Sequence, residues 1–175
     1  INNVSEGDIN ENKNFKNIKK KFLENSFKIS LNFTLNLTQL ALKSMVKGNW
    51  GRVITIGSAV TQDFSGKTIY TISKISQVSL MKSLSIKNEF IKRNITFNCI
   101  SPGAILTETS RWTNFKKKKP KEFKSINDKK LPLGFGKPED VSNVVIFLSS
   151  EESRYINGVN IVVDGGATNL RQMKL

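Results

Sequence analysis

Tyr70 and Lys74 are the residues of this sequence whose types and spacing most clearly offer chemistry. They lie four residues apart, so on a helix their side chains share one face and stand one turn from each other. The pair combines a phenol, which is a weak acid, with an ammonium group. Lysine is abundant in this chain, however, and a bare Tyr-x-x-x-Lys spacing is a weak signal by itself. The surrounding elements must therefore support it.

The segments on either side of this pair predict the elements that position it. Residues 52–56 are rich in β-branched side chains and predict a strand, after which the Ser58 hydroxyl lies at the carboxyl end. Residues 95–100 predict a second strand, which Pro102-Gly103 ends. A strand, a helix and a strand in this order form a βαβ crossover, whose ligands bind at the carboxyl ends of the strands. We therefore expect Ser58, Tyr70 and Pro102-Gly103 to meet at one edge of a parallel sheet.

The composition of the 175 residues excludes several kinds of function. The length fits one domain, residues 1–175, with a sizeable core. The chain has no histidine, so acting alone it offers neither serine–histidine hydrolysis nor a histidine-ligated metal. Its single cysteine, Cys99, lies inside a predicted strand, where we expect a small buried hydrophobe. We expect no disulfide within the chain and no metal site.

The net charge of +14 raises nucleic acid or a membrane surface as partners. Lysine is enriched along the whole chain, however, and no basic helix with interleaved aromatics and no finger spacing accompanies it, so we expect no nucleic acid partner. No apolar run approaches the length that spans a bilayer, and no charged-then-apolar leader opens the chain. We therefore expect a cytoplasmic protein with no membrane partner.

Other periodic segments predict further helices and a third strand. Apolar residues recur every three or four positions over residues 15–45, which favours one or two helices that end near Gly48, a candidate left-handed cap. Pro138, followed by two acidic residues, begins another helix that runs to residue 149. Residues 159–163 predict a buried strand, closed by a structural turn that begins at Asp164.

Two segments leave alternatives open. The long polar stretch 108–130 contains a run of four lysines at 116–119 and is typical of a lid or a disordered loop. As a lid, its lysines would favour an anionic substrate or a cofactor phosphate; the alternative is a solvated insertion that contacts no ligand. The helix predicted over residues 69–90 carries a face of small residues, which either packs against another helix or faces solvent. These small residues are Ser73, Ser76, Ser79 and Ser83.

Six motifs, taken in order, resemble the short-chain dehydrogenase/reductase family, and within it the bacterial ketoreductase-like branch. The resemblance covers nearly the whole chain from about Phe27 onwards, and six motifs in family order are far more specific than any one of them. The matching pieces are Leu37-Thr38-Gln39 with Met45, residues 51–58, Tyr70-Thr71-Ile72-Ser73-Lys74, residues 98–105, residues 136–140 and residues 155–166.

This resemblance implies an α/β fold with a Rossmann-like, doubly wound parallel sheet and helices on both faces. Residues 1–5 resemble the end of the family's fourth strand and its Asn-Asn-Ala-Gly turn, altered at the last two positions. On that alignment we expect this chain to supply only the C-terminal part, from the end of strand four through strand seven. The N-terminal βαβ half, with its glycine-rich phosphate turn, would lie upstream of residue 1. The choice between NAD and NADP is therefore not predicted.

The resemblance also implies roles for individual residues. Tyr70 would be the general acid/base that protonates the carbonyl oxygen or removes the hydroxyl proton, with the Lys74 ammonium lowering its pKa from about 10. Ser58 would hydrogen-bond the substrate oxygen. Ser30 falls where the family usually has the helix asparagine of its proton relay, so a relay here is weaker or differently built. The residues implied in cofactor binding are Asn3, Tyr70, Lys74, Pro102, Gly103, Ile105 and Thr107.

The function implied is an NAD(P)-dependent oxidoreductase that interconverts a carbonyl and a secondary alcohol on a small-molecule substrate. Family analogy implies a homo-oligomer, a dimer or tetramer, with contacts through the helices that carry residues 31–42 and 76–83. The alternative is a truncated, non-catalytic family member that acts only through assembly with a partner. A third and more distant hypothesis is a basic protein that binds nucleic acid or an anionic carrier.

Overall fold

The computed structural model describes residues 1–4, 16 and 18–168, and its centre is a parallel sheet. Strands β1 (Gly51–Ile56), β2 (Ile95–Pro102) and β3 (Asn160–Val163) pair in the order β1-β2-β3. Asn2 extends the pairing on the free edge of β1, because its N–H donates to Ile54 O and its C=O accepts from Ile56 N, both at 2.8 Å. The α/β class with a parallel Rossmann-like sheet is confirmed. Which of the family's strands these are stays a prediction.

The sheet is buried because helices cover both of its faces. Every residue of β1 and β2 is buried except the last residue of each strand. Strands of a parallel sheet are usually buried in this way, because helices cover both faces. On one face, Val53, Phe97 and Met81 form a core cluster with side chains from the long helices described below. On the other face, Ile54 and Leu148 belong to a second cluster.

The helical stretch before β1 is one long helix interrupted by a π turn. It consists of α1 (Lys20–Phe27), the π turn (Lys28–Asn32) and α2 (Phe33–Gly48). The expectation that Gly48 is the left-handed cap was wrong: Gly48 remains helical, and Asn49 takes the left-handed conformation with φ 50°. Asparagine is the usual alternative to glycine at this position. Two residues named in the sequence predictions lie outside the described residues. They are Ser5, the end of the N-terminal segment, and Phe15, the start of the predicted helical stretch.

Between β1 and β2 the chain forms α3 (Val60–Asp63), α4 (Thr68–Ser85) and α5 (Asn88–Ile91). The helix predicted over 69–90 is therefore two helices with a break after Ser85. The predicted serine face divides along α4: Ser73 is buried, Ser76 is half-buried, and Ser79 and Ser83 are exposed. The first part of this face thus packs inside the chain, and its second part lies at the surface.

Most of the polar stretch 108–130 is helical, which corrects the expectation of a disordered loop. It folds into α6 (Arg111–Lys118) and α7 (Pro120–Lys130). The Ser110 hydroxyl caps α6 by accepting from Thr113 N at 3.3 Å, and Pro120 occupies the first turn of α7. These two helices bury few residues, so they lack the apolar periodicity from which a helix is usually predicted.

Helix α8 (Pro138–Leu148) is one residue shorter at its end than predicted. Asp140 in its first turn accepts from Lys137 N at 2.7 Å, as an acidic residue at a helix start often does. After β3, both carboxylate oxygens of Asp164 accept hydrogen bonds, from Gly166 N at 2.9 Å and from Thr168 N at 2.8 Å. Asp164 is thus a turn residue, as predicted. Within the described residues, no helix combines the length and the apolar character needed to cross a bilayer.

Candidate active site

A cavity of about 840 Å³ opens where the strands β1 and β2 end. Ser58 at the end of β1 and Tyr70 in the first turns of α4 both line it, as the crossover argument predicted. The segment after β2 forms another part of its lining. The predicted site residues that line this one cavity are Asn3, Ser58, Tyr70, Pro102, Gly103, Ile105 and Thr107.

Lys74, also a predicted site residue, is not part of the cavity lining and instead joins α4 to the end of β1. Its Nζ donates to Ile56 O at 2.9 Å and lies 5.9 Å from the centre of the Tyr70 ring. The side chain is buried, with only 3% of the residue exposed. Burial lowers the pKa of Lys74 from its usual 10.5 to about 8. At pH 7 the ammonium is therefore still mostly protonated, and a buried cation stands beside the phenol.

Cys99 is the buried small residue that the sequence predicted, but it also belongs to the surroundings of Lys74. It lies in β2, directly opposite Thr55 of β1, and 1% of it is exposed. Burial raises the pKa of the Cys99 thiol to about 12, with Lys74 acting in the opposite direction. The thiol therefore stays protonated at neutral pH and does not neutralise Lys74.

Ser58 is held at the cavity through its backbone. Gly57 N donates to Ile100 O at 2.7 Å, and Ala59 N donates to Pro102 O at 2.9 Å, so the pairing with β2 continues past the end of β1. Among the described residues, the Ser58 hydroxyl has one hydrogen-bond contact, which is long, 3.5 Å from Val60 N. Because this contact is weak, the hydroxyl remains available to a ligand oxygen.

A network of three polar side chains supports the same turn from behind. The Thr61 hydroxyl donates to Ser58 O at 2.9 Å and accepts from Asn160 Nδ2 at 3.3 Å. Asn160 Oδ1 in turn accepts from the Ser101 hydroxyl at 2.7 Å. The network connects the ends of all three strands. Sequence reasoning did not find it, because Thr61 and Asn160 are 99 positions apart.

The segment after β2 is fixed by pairing on both of its sides. Gly103 N donates to Val163 O at 2.9 Å, and Gly136 exchanges hydrogen bonds with Ala104 O and Leu106 N. A side chain at position 103 would place its Cβ 2.6 Å from the Cβ of Asp164, so only glycine fits there. This close approach keeps Ile105 and Thr107 at the cavity.

Ser30 does not line the cavity. It lies in the π turn, buried, and its carbonyl oxygen accepts from the Thr34 hydroxyl at 2.7 Å and from Gln77 Nε2 at 3.2 Å. The Ser30 hydroxyl has no hydrogen-bond partner among the described residues. The structure thus brings Ser30 against α4, through Gln77, rather than beside Ser58 and Tyr70.

Helices α6 and α7 contribute lining residues that sequence reasoning did not identify individually. The lining includes Arg111 and Trp112 at the start of α6 and Lys130 at the end of α7. The serine cap before α6 and the proline at the start of α7 were the signals from which these helices could have been predicted. Within the described residues, no group of three or more histidine, cysteine or acidic side chains could hold a metal ion.

Comparison with known proteins places the chain in a family. The family model described as enoyl-(acyl carrier protein) reductase matches residues 1–168. The 3-oxoacyl-(acyl-carrier-protein) reductase FabG of Aquifex aeolicus is 37% identical over 145 residues, 82% of this chain and 55% of that protein. The 7alpha-hydroxysteroid dehydrogenase of Bacteroides fragilis is 31% identical over 178 residues, 96% of this chain and 63% of that protein.

Solved structures share the fold. An oxidoreductase of the short-chain dehydrogenase/reductase family from Burkholderia thailandensis superposes with a TM-score of 0.80 at 24% identity, over 96% of this chain and 63% of that one. A 3-oxoacyl (acyl-carrier-protein) reductase from Agrobacterium tumefaciens, solved with NADP bound, gives a TM-score of 0.80 at 24% identity, over 94% of this chain and 64% of that one.

The parallel sheet with helices on both faces and a cavity at its strand ends defines a Rossmann-like α/β protein. The chain belongs to the short-chain dehydrogenase/reductase family, a family of oxidoreductases, as its motifs predicted. It spans 55% to 63% of the length of the two curated relatives described above.

Proposed function

We propose that the protein is an NAD(P)-dependent oxidoreductase that interconverts a carbonyl and a secondary alcohol by hydride transfer. The observation that carries the proposal is the buried ammonium of Lys74, which lies 5.9 Å from the centre of the Tyr70 ring, while Tyr70 and Ser58 line the same cavity. Both curated relatives described above are named for reactions between a carbonyl and an alcohol. Because the chain spans little more than half of the first of them, the activity is proposed for the complete protein.

Tyr70 is the proposed general acid/base. In the reductive direction its hydroxyl gives a proton to the carbonyl oxygen, and in the oxidative direction the phenolate removes the proton from the alcohol. Lys74 stabilises the phenolate because its ammonium lies in a site from which water is excluded, where charges interact strongly. The Ser58 hydroxyl donates to the same substrate oxygen and holds it at Tyr70.

The residues after β2 fit a nicotinamide cofactor. Ile105 lies opposite Gly136, but the hydrogen bonds to Gly136 are made by Ala104 and Leu106. The N–H and C=O of Ile105 therefore have no partner among the described residues, and Ile105 lines the cavity. A carboxamide offers the complementary acceptor and donor. A bound nicotinamide would supply or accept the hydride. We assign Pro102, Gly103, Ile105 and Thr107 to this group, with Lys74 and Asn3 toward the ribose.

A proton relay through Ser30 is part of this proposal, although Ser30 packs against Gln77 and does not line the cavity with Tyr70. Its carbonyl oxygen already accepts two hydrogen bonds, so only its buried hydroxyl is available for a relay. The assembly is proposed to be a homo-oligomer.

The test of this proposal is Tyr70→Phe in the complete protein, which removes only the hydroxyl. We expect kcat/KM to fall by about 10²- to 10⁴-fold, the usual contribution of general acid–base catalysis, with cofactor affinity unchanged. Tyr155→Phe is the matched control, because Tyr155 is the other tyrosine and is 93% exposed. Turnover by Tyr70→Phe at the level of Tyr155→Phe would refute the acid/base role.

A further inference from the structure

The cavity that holds Ser58 and Tyr70 is strongly asymmetric in charge. Three cationic side chains line it, and no carboxylate does among the described residues. Two of the cations, Arg111 and Lys130, come from α6 and α7, and neither forms an ion pair with a described residue. The third is Lys67, just before α4. A ligand beside α6 and α7 therefore meets the positive charge of Arg111 and Lys130, which no described carboxylate pairs.

An aromatic cluster holds Arg111 at the cavity. The guanidinium carbon lies 5.0 Å from the centre of the Trp112 ring. Trp112 packs edge-on against Phe135 at 5.2 Å, and Phe135 stacks on Phe123 at 4.4 Å with the two rings almost parallel. A guanidinium that lies over an aromatic ring keeps the N–H groups on its edge free for hydrogen bonds. Arg111 is exposed and lines the cavity, so its guanidinium can offer an anion two parallel hydrogen bonds.

The remaining lining from the same region is apolar. Trp112, Ile126 and Leu131 line the cavity together with Val141 and Val145 of α8. A fully polar ligand would leave these side chains against polar groups, and a fully apolar one would leave the cations without a partner. The lining matches a molecule that has an apolar body and one anionic end.

We propose that the substrate is an apolar carbonyl compound or secondary alcohol that carries an anionic oxygen group, a carboxylate or a phosphate, and that Arg111 and Lys130 bind this group. The part about the carbonyl or alcohol rests on the proposed function; the anion site does not. The lysine run at 116–119 is not part of the cavity lining. An acidic macromolecule would therefore bind at different residues from the small anion.

The anion site is tested by isothermal titration calorimetry on the complete protein with octanoate, octyl phosphate and octanol, which share one chain. We expect the better of the two anions to bind at least about tenfold more tightly than octanol, since a charged hydrogen bond is lost in the alcohol. Whichever anion binds more tightly identifies the preferred group. Equal affinity for octanol and both anions would overturn the proposal.

Variants decide which cations are responsible. We expect Arg111→Gln to remove most of the preference for the anion and Arg111→Lys to retain part of it. Lys117→Gln is the matched control, because it removes the same charge from the same helix at a position that does not line the cavity. If Lys117→Gln loses the preference and Arg111→Gln keeps it, the anion binds outside the cavity and the proposal is wrong.

Turnover separates this inference from the proposed function. We expect 3-hydroxyoctanoate to be oxidised with a kcat/KM at least about tenfold above that of its methyl ester, and Arg111→Gln to abolish the difference through KM. Equal turnover of acid and ester would overturn the inference and leave the oxidoreductase. If neither compound nor any other alcohol is oxidised while octanoate still binds through Arg111, the proposed function fails and the anion site stands.

Discussion

At the scale of single residues, the burial of Lys74 determines how much positive charge lies beside Tyr70. Its ammonium is removed from water by α4 and β1, yet it keeps one hydrogen bond, to Ile56 O. Burial makes the proton easier to lose, and the pKa of about 8 places that loss just above neutral pH. Lys74 thus supplies positive charge to Tyr70 at pH 7 and much less of it at pH 9.

The same pKa predicts how stability depends on pH. The folded-state pKa of Lys74 is about 8 and the usual value is 10.5, so between these values the unfolded chain binds more protons than the folded one. Unfolding free energy therefore rises with pH through this window. Cys99, with its pKa raised to about 12, acts oppositely once the pH exceeds its usual value of 9.0. Between pH 8 and 9, Lys74 therefore makes the larger contribution of the two to the change in unfolding free energy.

We expect the unfolding free energy of the wild type to rise by about 1 kcal/mol between pH 8 and 9 relative to Lys74→Met, which has no titrating group at this position. Urea denaturation at half-unit steps of pH measures the difference. Lys82→Met is the control, because Lys82 lies on the exposed side of the same helix. If the unfolding free energies of the wild type and Lys74→Met change in parallel with pH, Lys74 is not desolvated in the folded protein.

At the scale of elements, the site is assembled by the ends of strands rather than by the strands themselves. The turn after β1, which carries Ser58, is tied to β2 by backbone hydrogen bonds and to β3 through Thr61 and Asn160. Helix α4 then places Tyr70 at the same edge. A displacement of about 1 Å in such a turn can reduce a rate by about 10²-fold, so these supporting bonds matter for activity as well as for stability.

We expect Thr61→Val to reduce kcat about tenfold with little change in KM, because it removes the hydroxyl that holds the Ser58 backbone while keeping the shape of the side chain. The half-buried amide of Asn160 also loses its acceptor, which should cost about 1 kcal/mol of stability. Steady-state kinetics and urea denaturation measure both effects.

Thr61→Ser retains the hydroxyl and should recover most of the lost kcat. If the serine variant is as slow as the valine variant, the hydrogen bonds of Thr61 do not position Ser58.

At the scale of the whole molecule, apolar side chains remain exposed on two separate faces. On α2 the exposed residues include Leu37 and Leu40, with 38% and 60% of each residue exposed. On α8, Ile146 is 67% exposed and Phe147 is 44% exposed. Contiguous apolar surface of this kind usually marks an interaction site. The family analogy assigns the subunit contacts to the face on α2 and α4.

We expect Leu40→Lys to lower the mass of the assembly in multi-angle light scattering, because it places a charge in the proposed contact between subunits. The variant should still unfold cooperatively, since Leu40 is not part of either core cluster. Ile146→Lys on α8 makes the same kind of change on the other face and should leave the mass unchanged. The reverse result would assign the contact to α8 instead.

The sequence by itself determined the parallel α/β class, the strands β1 and β2, the family and the Tyr70–Lys74 pair. These follow from short-range properties: β-branched runs, a spacing of four on one helix, and motifs of a few residues. It predicted α6 and α7 poorly, because short helices with few buried residues have no apolar periodicity. It also placed the helix cap one residue early, at Gly48, since glycine and asparagine can both adopt the left-handed conformation.

Only the tertiary structure decided which distant residues meet at the site. The pKa of Lys74 depends on burial against β1 and Cys99, and the support of Ser58 depends on Asn160, 99 positions after Thr61. The cations of the cavity depend on how α6 and α7 pack through Trp112 and Phe135. Each of these is a contact between elements that are far apart in the chain. Local residue preferences carry no information about such contacts, because burial and packing fix them only once the elements have assembled.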